Sequence, residues 1–181
     1  MIYAVGVLEL KSIPVGVEAC DDALKASGVR LISAHPSCPG KYEILLTGSI
    51  SDVQTAVDHV KMKFGTYVLD CTVMGRIDPT VVTALLGAQP EAPLGALGCL
   101  ETYSASSIIL AADAAVKAAK VDIVDLRLSR GMGGKGVLMV TGEVGDVTAS
   151  IEAAADYAIR QGLFSSKSIM AAPHEDLWKH L

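Results

Sequence analysis

A cysteine stands alone in the stretch "SAHPSCPGKYEILL" (Ser33–Leu46), with Cys38 between Pro36 and Pro39 and with Gly40 behind. No second cysteine lies within fifteen residues, so neither a local disulfide nor a Cys-x-x-Cys metal spacing is available there. Thiolates are the usual ligands of iron–sulfur centres and also bind zinc, so Cys38 is a candidate metal donor that lacks its companions. The prolines stiffen the loop and the glycine permits a sharp turn, which holds such a donor at little ordering cost.

A second stretch invites a nucleotide reading. In "SRGMGGKGV", Gly131, Gly133 and Gly136 satisfy G-x-G-x-x-G, but a dinucleotide site needs a helix N-terminus next, and "VLMVTGEV" alternates as a strand. Lys135 is followed by Gly136 rather than Ser or Thr, which excludes a P-loop. The stretch is expected to be a hairpin whose glycines allow positive φ, and its backbone amides remain able to hold an anion. His35, His59, His174 and His180 have no metal spacing and read as surface or helix-end residues. Cys20, Cys71 and Cys99 fall in helix or strand patterns and read as small apolar core residues.

The elements that must position these loops follow from composition and periodicity. The 181 residues are 51% apolar, with mean hydropathy +0.43, ample for a core. Only 4% are aromatic, which favours flat, Ala-rich packing over a deep ligand pocket and weighs against a small-molecule enzyme. A net charge of −5 with no basic cluster argues against nucleic acid. No apolar run is long enough to span a membrane, and "MIYAVGVLEL" lacks a basic n-region, so a cytoplasmic protein with free thiols is expected.

The chain repeats itself. Shifted by 92, "AVGVLELKSIPVGVEACDDALKASGV" (Ala4–Val29) meets "ALGCLETYSASSIILAADAAVKAAKV" (Ala96–Val121) with eleven identities in twenty-six positions, among them Glu9 with Glu101 and Lys25 with Lys117. A shift of 94 then aligns "GKYEILLTGSISDV" (Gly40–Val53) with "GKGVLMVTGEVGDV" (Gly134–Val147), Pro79 with Pro173, and Cys38 with Met132. The two extra residues are expected within 122–128. Each copy reads β-α-β-β-α-β plus a terminal helix, an α+β, ferredoxin-like plan. The expected domains are 1–88 and 95–181, joined by "GAQPEAPLG".

The tandem repeat, the "GxLE" first strand, the "KAA.V" helix end and the "GGKG" hairpin together resemble bacterial microcompartment shell proteins. "SCPGKY" and the C-terminal "PHEDLWKHL" are further similar to the tandem, unpermuted shell proteins of propanediol utilisation, whose trimers carry an iron–sulfur cluster in a central pore.

The resemblance implies a homotrimeric, pseudo-hexameric tile, without enzyme activity, in a microcompartment shell. Its pore lining would be Ser37, Cys38, Pro39 and Gly40 in one copy and Gly131, Met132, Gly133 and Gly134 in the other. Three copies of Cys38 would hold one 4Fe-4S cluster, with zinc or no metal as alternatives. Lys25, Lys117 and His174 would lie at tile edges, where other shell proteins meet it, and His174 would have no counterpart in the first copy. Electron transfer across the shell, to or from a lumenal redox enzyme, is the implied role. A shell pore that conducts metabolites without a cluster, and a small regulatory module binding an anion at "GMGGKG", are the competing expectations.

Overall fold

A computed structural model describes residues 3–87 and 95–181, so residues 88–94 of the expected linker lie outside the described residues. The chain divides into two compact units, Met1–Ile77 and Asp78–Leu181.

The first unit runs β1 (Tyr3–Leu10), α1 (Ile13–Ala26), β2 (Arg30–Ser37), β3 (Lys41–Gly48), α2 (Ile50–Phe64) and β4 (Val68–Ile77). Its sheet has the order β2-β3-β1-β4 with every pair antiparallel. The next helix is α3 (Pro79–Leu85), and the second unit continues with β5 (Ala96–Thr102), α4 (Ala105–Ala118), β6 (Asp122–Leu128), β7 (Gly136–Gly142), α5 (Val144–Arg160), β8 (Phe164–Met170) and α6 (Glu175–Trp178). Its sheet order, β6-β7-β5-β8, repeats the first. The α+β plan expected from the repeat is therefore present twice.

Local chemistry starts and stops the elements. Pro14 occupies the first turn of α1, where its missing N–H costs nothing. Ser49 caps α2 by accepting from the Asp52 amide at 3.1 Å, so this helix begins before the "Ser-Asp" start that its sequence suggested. Ser104 caps α4 in the same way through the Ser107 amide. The core of the first unit joins Leu8, Leu10, Ile44 and Leu46 from the sheet to Ala19, Ala23, Val53, Ala56 and Val60 from the helices. Each large side chain so buried contributes roughly 1.5–3 kcal/mol.

The two cores solve one packing problem in opposite ways. In the first unit Gly16 of α1 faces Tyr42 of β3, and a Cβ on Gly16 would lie 2.4 Å from the Tyr42 Cβ. At the equivalent positions of the second unit Ile108 of α4 faces Gly136 of β7, and a Cβ there would lie 2.3 Å from Ile108 Cγ2. Large and small have exchanged sides across the same helix–strand contact.

α3 packs on α4 and β6 and so belongs to the second compact unit, although the repeat order places it at the end of the first copy. Strand register also locates the length differences. β2 and β6 carry the same irregularity, between Leu31 and Ser33 and between Ile123 and Asp125, and stay at a shift of 92 throughout. The two extra residues therefore do not lie within 122–128. They lie in the hairpin turn, which is three residues long after Ser37 and five long after Ser129. α5 is longer than α2, 17 residues against 15, so the last strands correspond at a shift of 96: Gly6 pairs with Val73, and Gly98 with Ile169.

The exchanged pair gives a direct test. Gly136→Ala should cost about 1–3 kcal/mol through overpacking, and Ile108→Gly in the same chain should recover part of that despite the poor helix propensity of glycine. Urea denaturation of both variants measures it.

Candidate functional site

Cys38, Pro39 and Gly40 form the whole turn between β2 and β3, closed by the register pair Ser37 and Lys41. Gly40 has φ +72°, a conformation that side chains disfavour, which accounts for a glycine behind the cysteine. The Cys38 thiol is free and partly exposed.

The second turn, Arg130–Gly134, is closed by the Ser129 amide donating to the Lys135 carbonyl at 2.9 Å. Gly131, Gly133 and Gly134 all have positive φ, and β7 begins at Gly136, so the glycine motif is a hairpin turn with no helix behind it. Ser129 enters the turn with φ 38° although it is not glycine. Counted forward from the strand, Cys38 corresponds to Arg130; counted back from the lysine, it corresponds to Met132. The pairing of Cys38 with Met132 thus holds from one side of the turn only.

An ion pair anchors each turn to the central strand of its sheet. Lys41 Nζ donates to Glu9 Oε2 at 2.6 Å, and the Glu9 side chain is only 5% exposed. Lys135 Nζ donates to Glu101 Oε2 at 2.9 Å, where Ser165 Oγ also donates at 2.6 Å. The Ser165 hydroxyl, and then the Lys135 ammonium, hold the Glu101 carboxyl below the usual carboxylate range. Both partners are repeat identities, Glu9 with Glu101 and Lys41 with Lys135, so comparison of the copies carried this signal. Sequence reasoning missed it because residues 32 and 34 positions apart become neighbours only once the ladder is in register.

The other cysteines behave differently from Cys38. Cys20 is buried in α1, and burial pushes its thiol pKa up; burial does the same to Cys99. Cys71 is partly buried against the first core. Among the described residues no three His, Cys, Asp or Glu side chains converge on a metal-sized site. Cys38 belongs to no such group among the described residues.

The expected edge residues occupy unlike settings. Lys25 pairs with Asp21 on the last turns of α1, both well exposed. Lys117 pairs with Asp113 at 2.5 Å, and Asp113 Oδ1 also accepts the Asp78 amide at 2.8 Å. His174 is the exposed N-cap of α6, accepting from the Asp176 amide at 3.2 Å. Asp78 caps α3 through the Thr80 amide at 2.9 Å, and at a shift of 96 it stands where His174 stands in the second copy, so the first copy carries an aspartate rather than a histidine at that cap.

Comparison with known proteins agrees with this geometry. The BMC domain model matches residues 4–77 and again 96–173. The chain is 36% identical over 181 residues to the bacterial microcompartment shell protein PduT of Citrobacter freundii, covering 100% of this chain and 98% of that protein. A crystal structure of a microcompartments protein from Desulfitobacterium hafniense superposes with a TM-score of 0.96 at 38% identity, covering 99% of each chain. The fused permuted hexameric shell protein MSM0275 from the RMM microcompartment gives 0.62 at 25% identity, over 87% of this chain and 82% of that one.

Two predictions follow from the anchors. Lys41→Met strands a nearly buried carboxylate and should cost about 3–5 kcal/mol, whereas Lys135→Met, at a pair 38% and 30% exposed, should cost about 0–1 kcal/mol; chemical denaturation separates them. Because the Glu101 pKa is lowered on folding, its stabilisation is complete above the unfolded carboxylate value, about 4.3, and is lost as pH falls through the lower folded value. Denaturation midpoints of Glu101→Gln should therefore fall less steeply than wild type on the acid side.

Proposed function

The chain belongs to the BMC-domain family of bacterial microcompartment shell proteins, and on that premise we propose that it is a structural tile, a homotrimer in which two tandem domains per chain make a six-fold-like ring. The observation that carries the metal reading is the free, partly exposed Cys38 in a three-residue turn anchored through Lys41 to Glu9. One chain has one such thiol and no converging ligands among its described residues. Three chains about a three-fold axis offer three, which suits three corners of a cubane cluster, with the fourth position left to a ligand from outside the chain.

The donor set fits a 4Fe-4S cluster on thiolate chemistry, with Cys38 of three chains as the protein ligands. When bound, the cluster supplies a one-electron carrier in the tile. The chain's own part is positional. Pro39 and Gly40 shape the turn, and the Lys41–Glu9 pair fixes the strand that follows it, so each thiolate is presented without a large ordering cost. The five-residue turns, Arg130–Gly134, would line the other half of the opening with glycine backbone and Met132. No step in this role turns over a substrate.

Anaerobic purification followed by iron, sulfide and zinc analysis and by EPR tests the reading. One cluster per three chains, with a brown chromophore lost in Cys38→Ser while the trimer persists, is expected. Zinc alone would replace the cluster by a structural ion, and absence of all three elements would leave an unmetallated pore.

A further inference from the structure

The sheet of the first unit carries one rung on which every position is titratable. His35 of β2 lies opposite Glu43 of β3, Glu43 opposite Glu9 of β1, and Glu9 opposite Asp70 of β4. Directly opposed residues share a face of the sheet, with Cβ atoms about 4.5–5.5 Å apart. Glu43 is 0% exposed and Glu9 4%, while His35 and Asp70 are half-buried. Lys41, two residues along β3 and on the same face, pairs with Glu9 at 2.6 Å. Among the described residues of the unit these five are the titratable groups on that stretch of the face. Lys11 lies past the end of β1 over the Tyr67 ring, and Arg30 stands opposite Thr47 at the far end of β3.

The second copy shows that the fold does not need such a rung. At its repeat positions stand Arg127, Val137, Glu101 and Ser166, opposed in the same order. Arg127 pairs with Asp125, and the one carboxylate left on the rung, Glu101, is answered by Lys135 and Ser165. Burying charge is costly unless it is compensated, and like charges directly opposite each other repel. Glu9 has Lys41, so Glu43, buried beside it, calls for a second positive charge or a proton. His35 stands on its other side, and histidine is the side chain that ordinarily titrates closest to neutrality, at about 6.5. The copy that bears the rung is also the copy that bears Cys38, whose turn closes two residues further along the same ladder, at Ser37 and Lys41.

We propose that His35 and Glu43 together hold one exchangeable proton, and that its affinity is coupled to the charge at Cys38, so that the tile takes up protons on reduction and releases them on oxidation. The electron passes from a one-electron donor to the centre held by three Cys38 thiolates. The proton comes from water onto a His35–Glu43 pair, and both leave on reoxidation. The pair lies roughly 7 Å along the strand from the residues that close the turn. A unit charge about 10 Å away, at an effective dielectric of about 20, changes a proton's affinity roughly tenfold. The inference rests on the cluster reading above and gives the electron a chemical partner within the chain.

An EPR-monitored redox titration of the loaded trimer from about pH 5 to about pH 8, across the histidine range, tests it, with dithionite as the electron donor. Wild type should be run beside Glu43→Gln and His35→Gln; His35 is half-buried, so its substitution leaves the core intact. The added negative charge favours the protonated pair, so the wild-type midpoint potential should fall as pH rises. The fall should total about 59 mV for each coupled pair, the one-electron equivalent of a tenfold change in affinity. Both variants should be flat. NMR of the His35 ring in the unmetallated protein gives a second reading: its proton affinity should drop about tenfold in Glu43→Gln, which removes the neighbouring charge. A wild-type potential that is flat in pH, or that varies equally in the variants, overturns the coupling while the cluster reading stands. A His35 ring that titrates alike in wild type and Glu43→Gln overturns it whether or not a cluster is loaded. Absence of any iron–sulfur EPR signal overturns the cluster reading and the coupling with it.

Discussion

A slip of one residue between β1 and β3 would put Glu9 and Glu43, partners on one face of the sheet, on opposite faces and part Leu8 from Ile44. The rest of the molecule depends on that ladder staying in register. It sets Leu8 opposite Ile44 in the core and brings Lys41 over Glu9, and β5 with β7 does the same for Lys135 and Glu101. A second repeated bond fastens the far end: Thr47 Oγ1 donates to the Ala4 carbonyl and Thr141 Oγ1 to the Ala96 carbonyl, each at 2.9 Å. With both ends pinned, the turn between the strands is the part free to change.

It has changed, and in a way that separates the copies chemically. A three-residue turn with one cysteine and one proline is stiff and presents a single nucleophilic atom. A five-residue turn with three glycines at positive φ presents mainly backbone. The core tolerated comparable divergence where volume was conserved, as in the exchange of Gly16 and Tyr42 for Ile108 and Gly136. Identity persists at the Lys–Glu and Thr–carbonyl contacts, where a charge or a hydroxyl must meet a fixed partner, and at small core positions such as Gly6 with Gly98, while larger apolar contacts drift around them.

Periodicity made the element order legible, and the repeat made the two-copy plan legible, because both depend on apolar spacing that survives substitution. The location of the two-residue insertion was not legible. Within "DIVDLRLSRGMGGK" the position of a gap changes sequence similarity little, with Ser37 on Ser129 the one identity that favours the turn, whereas in the fold a gap disturbs the least backbone pairing there. The Asp78–His174 correspondence was hidden for the same reason: prolines at 79 and 173 attract an alignment, but the longer α5 moves the equivalent cap by two residues. The Lys–Glu anchors were visible as identities and opaque as contacts, since no local pattern joins β1 to the start of β3.

Duplication within one chain also leaves one occurrence of a repeated contact unmade among the described residues. A tandem repeat makes each internal contact once inside the chain and leaves the next occurrence of the same contact split between its two ends. Here the covered occurrence joins α3 to α4 and β6, and the split one leaves α1 with β2 at the beginning and α6 at the end. Ile13, Val17, Leu31 and Leu177 thus stay exposed at the repeat positions where Ala105, Ile109, Ile123 and Val81 are buried.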